Sequence, residues 1–289
     1  MTSPRLRILV WVIVAVTLSL SAVSIVFHVL GSSVPLPVDA FGFRGAIITF
    51  VISFGGVGAI IASRRPRNPV GWVFLVDGLL SAMQDLGDSY GRYSLQLLER
   101  DSLIGELGLW LGYWIWLPII GVTLSTLGFL YPSGRFLSKR WKPFYLLALA
   151  LTAIATTSLA LDPRALESVE RPSPVGLSVD PGLLPVFDLL VGSFLIGSLL
   201  SLVALAVRFR RSVGDERRQL LWLLTAVALS VIALTYYGIL NTVASSEQQA
   251  DFGSDPVTNA FELLIIFAFC AIPLSSGLAI LRYRLYSIE

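Results

Sequence analysis

Residues 8–30 read Ile-Leu-Val-Trp-Val-Ile-Val-Ala-Val-Thr-Leu-Ser-Leu-Ser-Ala-Val-Ser-Ile-Val-Phe-His-Val-Leu, 23 positions without an acid, a lysine or an arginine. At about 1.5 Å of rise per residue, a helix of that length crosses a hydrocarbon layer about 30 Å thick. Arg5 and Arg7 precede it, as in a signal peptide. The apolar run exceeds the roughly 7–15 residues of a cleaved signal, so it reads as a retained anchor.

The same pattern recurs outward from this stretch. Apolar runs predict seven further spans near Gly45–Ala62, Val70–Tyr90, Leu107–Tyr131, Phe144–Leu161, Leu184–Val207, Leu220–Thr242 and Ala260–Leu281. The third is interrupted by Asp77, Asp85 and Asp88. Composition points the same way, with 55% hydrophobic and 14% charged residues and a mean hydropathy of +0.78. A soluble domain carries about 25% charged residues. The predicted class is therefore all-α: a polytopic transmembrane helix bundle of about eight spans over residues 1–281, followed at 282–289 by the start of a cytoplasmic output segment. The lipid bilayer is the first partner this implies, and a second copy of the chain is another candidate. Nucleic acid is not.

Charge sets the orientation. With the N-terminus in the cytoplasm, 16 of the 21 basic residues fall on inner segments, among them Arg64, Arg65 and Arg67, Arg135 to Lys142, and Arg208 to Arg218. The outer side keeps Arg44, Arg92, Arg100, Arg164 and Arg171. Basic residues favour the cytoplasmic side in short loops, so both termini are predicted to be cytoplasmic. The longer outer segments, 162–183 and 245–257, are mixed or acidic.

Catalytic motifs are scarce. Cys270 is the only cysteine and His28 the only histidine. A disulfide, a multi-cysteine zinc site and a His-based metal cluster are excluded within the chain, and no metal or cofactor is expected. Cys270 reads as a small apolar packing residue. His28 reads as an interfacial polar residue, with a pH-sensing or binding role as the alternative. Gly55-Gly56-Val57-Gly58, Gly108 with Gly112, and Ser193, Gly197 and Ser201 sit inside spans. Small residues there let helices approach closely, so packing is the expectation before a dimer contact.

Four inner motifs carry a family resemblance: Arg64-Arg65-Pro66-Arg67-Asn68-Pro69-Val70-Gly71-Trp72; Tyr131-Pro132-Ser133-Gly134-Arg135 with Arg140-Trp141-Lys142-Pro143; Arg208-Phe209-Arg210-Arg211 with Glu216-Arg217-Arg218-Gln219-Leu220-Leu221-Trp222; and Ile280-Leu281-Arg282-Tyr283-Arg284-Leu285-Tyr286. In this order they resemble the multi-pass membrane region that precedes the catalytic part of bacterial sensor histidine kinases of the actinobacterial type. The resemblance spans about residues 60–289. It implies a sensing module of a two-component system in a bacterial inner membrane, with a histidine kinase catalytic region or a response regulator as partner. Arg282, Tyr283, Arg284 and Tyr286 would form the output segment. Such kinases continue into a dimerisation helix and an ATP-binding domain, whereas here Ser287, Ile288 and Glu289 follow. Ser133 and Ser287 also depart from the acidic residue relatives tend to carry. No phosphoacceptor histidine or ATP motif can be assigned, so no enzymatic activity is expected of this chain. A sensor-only protein, a truncated product and an excised membrane part all fit.

Polar residues inside spans indicate where a signal would act, because ionisable groups in hydrocarbon are costly and usually face other helices or a water-filled cavity. Asp77, Ser81, Gln84 and Asp88 recur at steps of 4, 3 and 4, with Asp85 beside them, on one helical face. Glu106, Asp188 and Glu262 lie near outer span ends, with Tyr237 at similar depth. These nine form the candidate ligand-binding set, and a cavity open to the outside is expected along the third span. Two other readings stand beside sensing. One is a small secondary transporter or channel using the intramembrane aspartates, with Pro118 and Pro273 as helix breakers. The other is a membrane aspartyl protease, which would need facing aspartates such as Asp77 and Asp188.

Overall fold

The computed structural model describes the backbone of residues 4–33, 46–243 and 256–282, and their side chains except those of 168, 231, 233–243, 256–263, 265, 281 and 282. Among the described residues every regular element is helical and none is a strand. Among the described residues eight long helices follow one another: α1 Pro4–Leu30, α2 Ile47–Arg64, α3 Pro69–Arg92, α4 Leu103–Leu130, α5 Lys142–Ala160, α6 Leu184–Arg211, α7 Gly214–Val243 and α8 Pro256–Arg282. Within α2 the residues Val51–Gly55 form a π turn, and a second π turn, Tyr93–Leu97, continues α3.

Local chemistry sets several helix starts earlier than hydropathy alone predicts. The Asn68 side chain accepts from the Val70 amide, and Pro69 occupies the first turn, where its missing N–H costs nothing. Ser102 caps the Gly105 amide, which starts α4 four residues before its predicted Leu107. Pro118 and Pro273 lie within continuous helices, so neither breaks its helix.

Among the described residues five stretches are long and apolar enough to cross a membrane: Pro4–Leu30, Ile47–Arg64, Leu103–Leu130, Lys139–Ala160 and Pro181–Arg211. Their outward faces carry large apolar side chains such as Ile8, Trp11, Leu189 and Leu195, as expected of a membrane protein. Of the other three helices, α3 carries the interrupting aspartates, and much of the side-chain detail of α7 and α8 lies outside the described residues.

Helices α1 and α3 run parallel. Val10 packs near Leu75 at one end, and Ser24 reaches Asp85 toward the other. Helix α2 packs against both, α4 against α3, α5 and α6, and α8 against α7 and α2. Small residues make these approaches close. A Cβ on Gly58 would lie 2.2 Å from the Leu75 amide, and one on Gly108 would lie 2.5 Å from the Gly87 carbonyl oxygen. Gly197 meets Ala148 and Gly128 meets Ser201 in the same way. The small-residue faces noted in the sequence are thus spent on contacts inside the bundle.

The end that gathers the basic turns holds the largest apolar cluster, where Ile61, Phe74, Leu127, Tyr131, Leu205, Leu223 and Ile280 bring six helices together.

Candidate functional site

Two polar constellations stand out, one along α3 and one at the basic end. Along α3, Asp77, Ser81 and Asp85 are buried, with 2%, 5% and 3% of their surfaces exposed. Their partners differ. The Thr123 hydroxyl of α4 donates to Asp77 Oδ2. Asp85 instead faces α1: the Ser24 hydroxyl donates to its Oδ2, and His28 Nε2 lies 2.9 Å from its Oδ1. Ser89 completes this group, its hydroxyl 3.1 Å from that of Ser24. Gln84 donates to the Gly112 carbonyl of α4 at 3.3 Å, and Asp88 pairs with Arg92 one turn on, at 2.9 Å. Asp77, Ser81 and Asp85 share a buried face, and the polar bonds along it divide: Asp77 and Gln84 bond to α4, Asp85 to α1, and Asp88 to Arg92 of its own helix.

Glu106 and Asp188 depart further from expectation. Each is engaged by an arginine of the 162–183 connection: Arg171 reaches Glu106 at 2.9 Å and Asp101 at 2.8 Å, and Arg164 reaches Asp188 at 2.7 Å and Asp162 at 2.8 Å. They anchor a loop. Hydrogen bonds to Asp162 and Asp188 raise the Arg164 guanidinium above its ordinary range, and those to Asp101 and Glu106 do the same for Arg171. Burial pushes the Asp162 carboxyl up, but hydrogen bonds from the Arg164 side chain and backbone outweigh this and hold it below the usual carboxylate range. The same loop shapes an open cleft of about 420 Å³ lined by Arg164, Glu167, Glu170 and Arg171. Asp77 and Asp188 hold separate partners, so the facing pair needed by a protease is not formed. Trp110 donates to the Ala160 carbonyl at 2.7 Å, and Tyr113 and Trp114 pack with Leu117, Leu159 and Phe194, so the aromatics of α4 serve helix contacts.

At the basic end, turns distant in sequence converge. Asn68 donates to the Pro132 carbonyl at 3.1 Å. Arg208, 4% exposed, donates to the carbonyls of Tyr131 and Arg135. The Tyr131 hydroxyl donates to the Gln219 carbonyl at 3.3 Å, and the Gln219 amide donates to the Ala279 carbonyl of α8 at 3.1 Å. Gly134 closes the turn with φ +74° and its amide 2.7 Å from the Leu130 carbonyl. A side chain there would also press on Pro69 and Asn68.

The chain matches no known family description, no curated protein and no solved structure. Its chemistry is therefore read from this geometry. Among the described residues no three His, Cys, Asp or Glu side chains gather as a metal site. The side chains of Tyr237, Glu262 and Arg282, and all of Tyr283, Arg284 and Tyr286, lie outside the described residues.

His28, read from the sequence as an interfacial polar residue, meets Asp85 across the α1–α3 contact. One signal for that pairing is in the sequence: His28 and Asp85 both lie in the later part of their predicted spans, the first and the third.

Proposed function

We propose that this chain is a membrane-embedded sensing module of a two-component type, with eight spans and both termini in the cytoplasm of a bacterial cell. A histidine kinase catalytic region or a response regulator, in the same chain or in a partner, would receive its output. The observation that carries this reading is the continuous hydrogen-bonded path at the basic end. It links the α2–α3 turn to the α4–α5 turn through Asn68 and Pro132, and the latter to α7 and α8 through Tyr131, Gln219 and Ala279. A shift of α3 relative to α4 would thereby reach the final helix, which leads into residues 282–289. The four motifs behind the sensor-kinase resemblance supply most members of that path, which gives their recurrence a physical purpose.

The reading is tested by fusing residues 1–289 to a sensor kinase catalytic region in proteoliposomes. The autophosphorylation rate should change when conditions on the non-basic face are varied. Gln219→Ala should abolish that response while leaving the basal rate. A fusion whose rate ignores every such change sinks the proposal. The transporter reading has one observation in its favour, the burial of Asp77 with only a hydroxyl donor. Collapse of an imposed cation or proton gradient by the reconstituted chain would favour it instead.

A further inference from the structure

We infer that His28 and Asp85 form a proton-operated latch that holds the far half of α1 against α3. The inward face of α1 is polar, with Thr17, Ser21, Ser24 and His28 following at steps of 4, 3 and 4, the spacing of one helical face. Thr17 spends its hydroxyl on the Ile13 carbonyl of its own helix. The polar bonds from α1 to α3 are concentrated one turn apart, at Ser24 and His28, and both converge on Asp85.

Asp85 is buried, and His28, 16% exposed, is the basic side chain within reach of it among the described residues. The groups around the pair are accounted for element by element. On α3, Asp88 is taken by Arg92, and Tyr90 and Tyr93 pack their rings on Phe27. Helix α1 has its other charges, Arg5 and Arg7, at the opposite end, and α2 has only Arg64, also at that end. Asp39 and Arg44 lie outside the described residues.

While the two side chains share one proton, the pair is neutral as a unit and its hydrogen bonds close the gap between the helices. The proton belongs to the pair, so its loss is a property of both groups. Loss leaves a buried carboxylate facing a neutral ring and hydroxyls, and a buried anion without a cation is strongly unfavourable. Hydration relieves it, and water enters if the end of α1 swings away. The sign follows: the latch is closed at lower pH and opens as pH rises. The proposal rests on the sensing reading for its purpose, since it names a stimulus for that module, but the latch is read out locally.

The test uses the full chain in lipid bilayers in a Cys270→Ala background, with spin labels at Val29→Cys and Leu98→Cys, both exposed positions. From about pH 5 to about pH 9, bracketing the ordinary histidine range, a longer-distance population should grow about tenfold relative to the short one. Asp85→Asn removes the anion and should hold the short distance at every pH. His28→Gln leaves the buried Asp85 carboxylate facing a neutral side chain and should hold the longer distance throughout the range, which covers the case in which Asp85→Asn fails to insert. An unchanging distance in the native pair, or a pH response that persists in His28→Gln, overturns the latch. If the helices move but the fused kinase ignores pH along with every other change on the non-basic face, the latch stands and the sensing reading fails.

Discussion

Two arginines, one at each end of the bundle, carry opposite duties. Arg208 at the basic end is almost wholly buried and gives its fork to two backbone carbonyls. Arg164 at the far end is a third exposed and gives its fork to two carboxylates. The first sits beside an apolar cluster and closes a turn whose carbonyls would otherwise lack donors. The second clips a loop onto helix ends in the presence of solvent. The basic end is therefore tied by bonds shielded from solvent, and the far end by ion pairs with one exposed partner.

The comparison breaks most visibly if Arg208 is removed. Arg208→Ala strands the buried Tyr131 carbonyl and removes a donor from that of Arg135, and is expected to destabilise the bundle by about 3 kcal/mol. Thermal unfolding in detergent should show it, with little dependence on salt. Arg208→Lys should recover only part of the loss, because an ammonium lacks the planar fork. Asn68→Ala loses both a helix cap and the bond to Pro132, and about 1–2 kcal/mol is expected from the same measurement. A loss indistinguishable from zero would mean that the two basic turns are not mechanically joined. Arg164→Ala leaves the 1% exposed Asp162 carboxylate without its cation, so a loss of about 1–3 kcal/mol is expected, of which only the share from the exposed Asp188 pair should fade in high salt. Its pH dependence sharpens the contrast. The folded-state carboxyl of Asp162 lies below its ordinary value, so its contribution is complete above about pH 4 and is lost as acid carries the pH through the lowered value. The guanidinium stays charged throughout. A difference between wild type and Arg164→Ala that grew on acidification would contradict this assignment.

Helix positions were legible in the sequence because hydropathy reports burial against lipid or protein directly. Helix ends were less so: Asn68 and Ser102 extend α3 and α4 through caps, a local bond that hydropathy does not register. The polar face of α3 was legible as a face, since Asp77, Ser81 and Asp85 share a helical period and are all buried. Which neighbour each one meets was not, because that depends on where α1 and α4 pack. His28 and Asp85 are 57 residues apart, and Arg171 and Glu106 are 65 apart. Neither pair shares a local pattern. For Glu106 and Asp188, acidity near a span end suggested a ligand, while the arginines that occupy them lay in a loop read only for its charge. Convergence of the four basic motifs was invisible for the same reason. Each is a turn signal by itself, and only the folded chain shows Tyr131 between Gln219 and the turn held by Asn68.

The π turn at Val51–Gly55 fits one residue too many into a turn of α2. One residue corresponds to about 100° of rotation around a helix axis. The two halves of α2 are thus out of phase, so that Phe50 meets Phe269 of α8 while Gly58 beds against Leu75 of α3. A single-residue deletion absorbed there would restore a regular helix and keep the glycine seam, yet turn the aromatic half toward a different neighbour. In evolutionary terms, α2 can change whom one end touches without renegotiating the other.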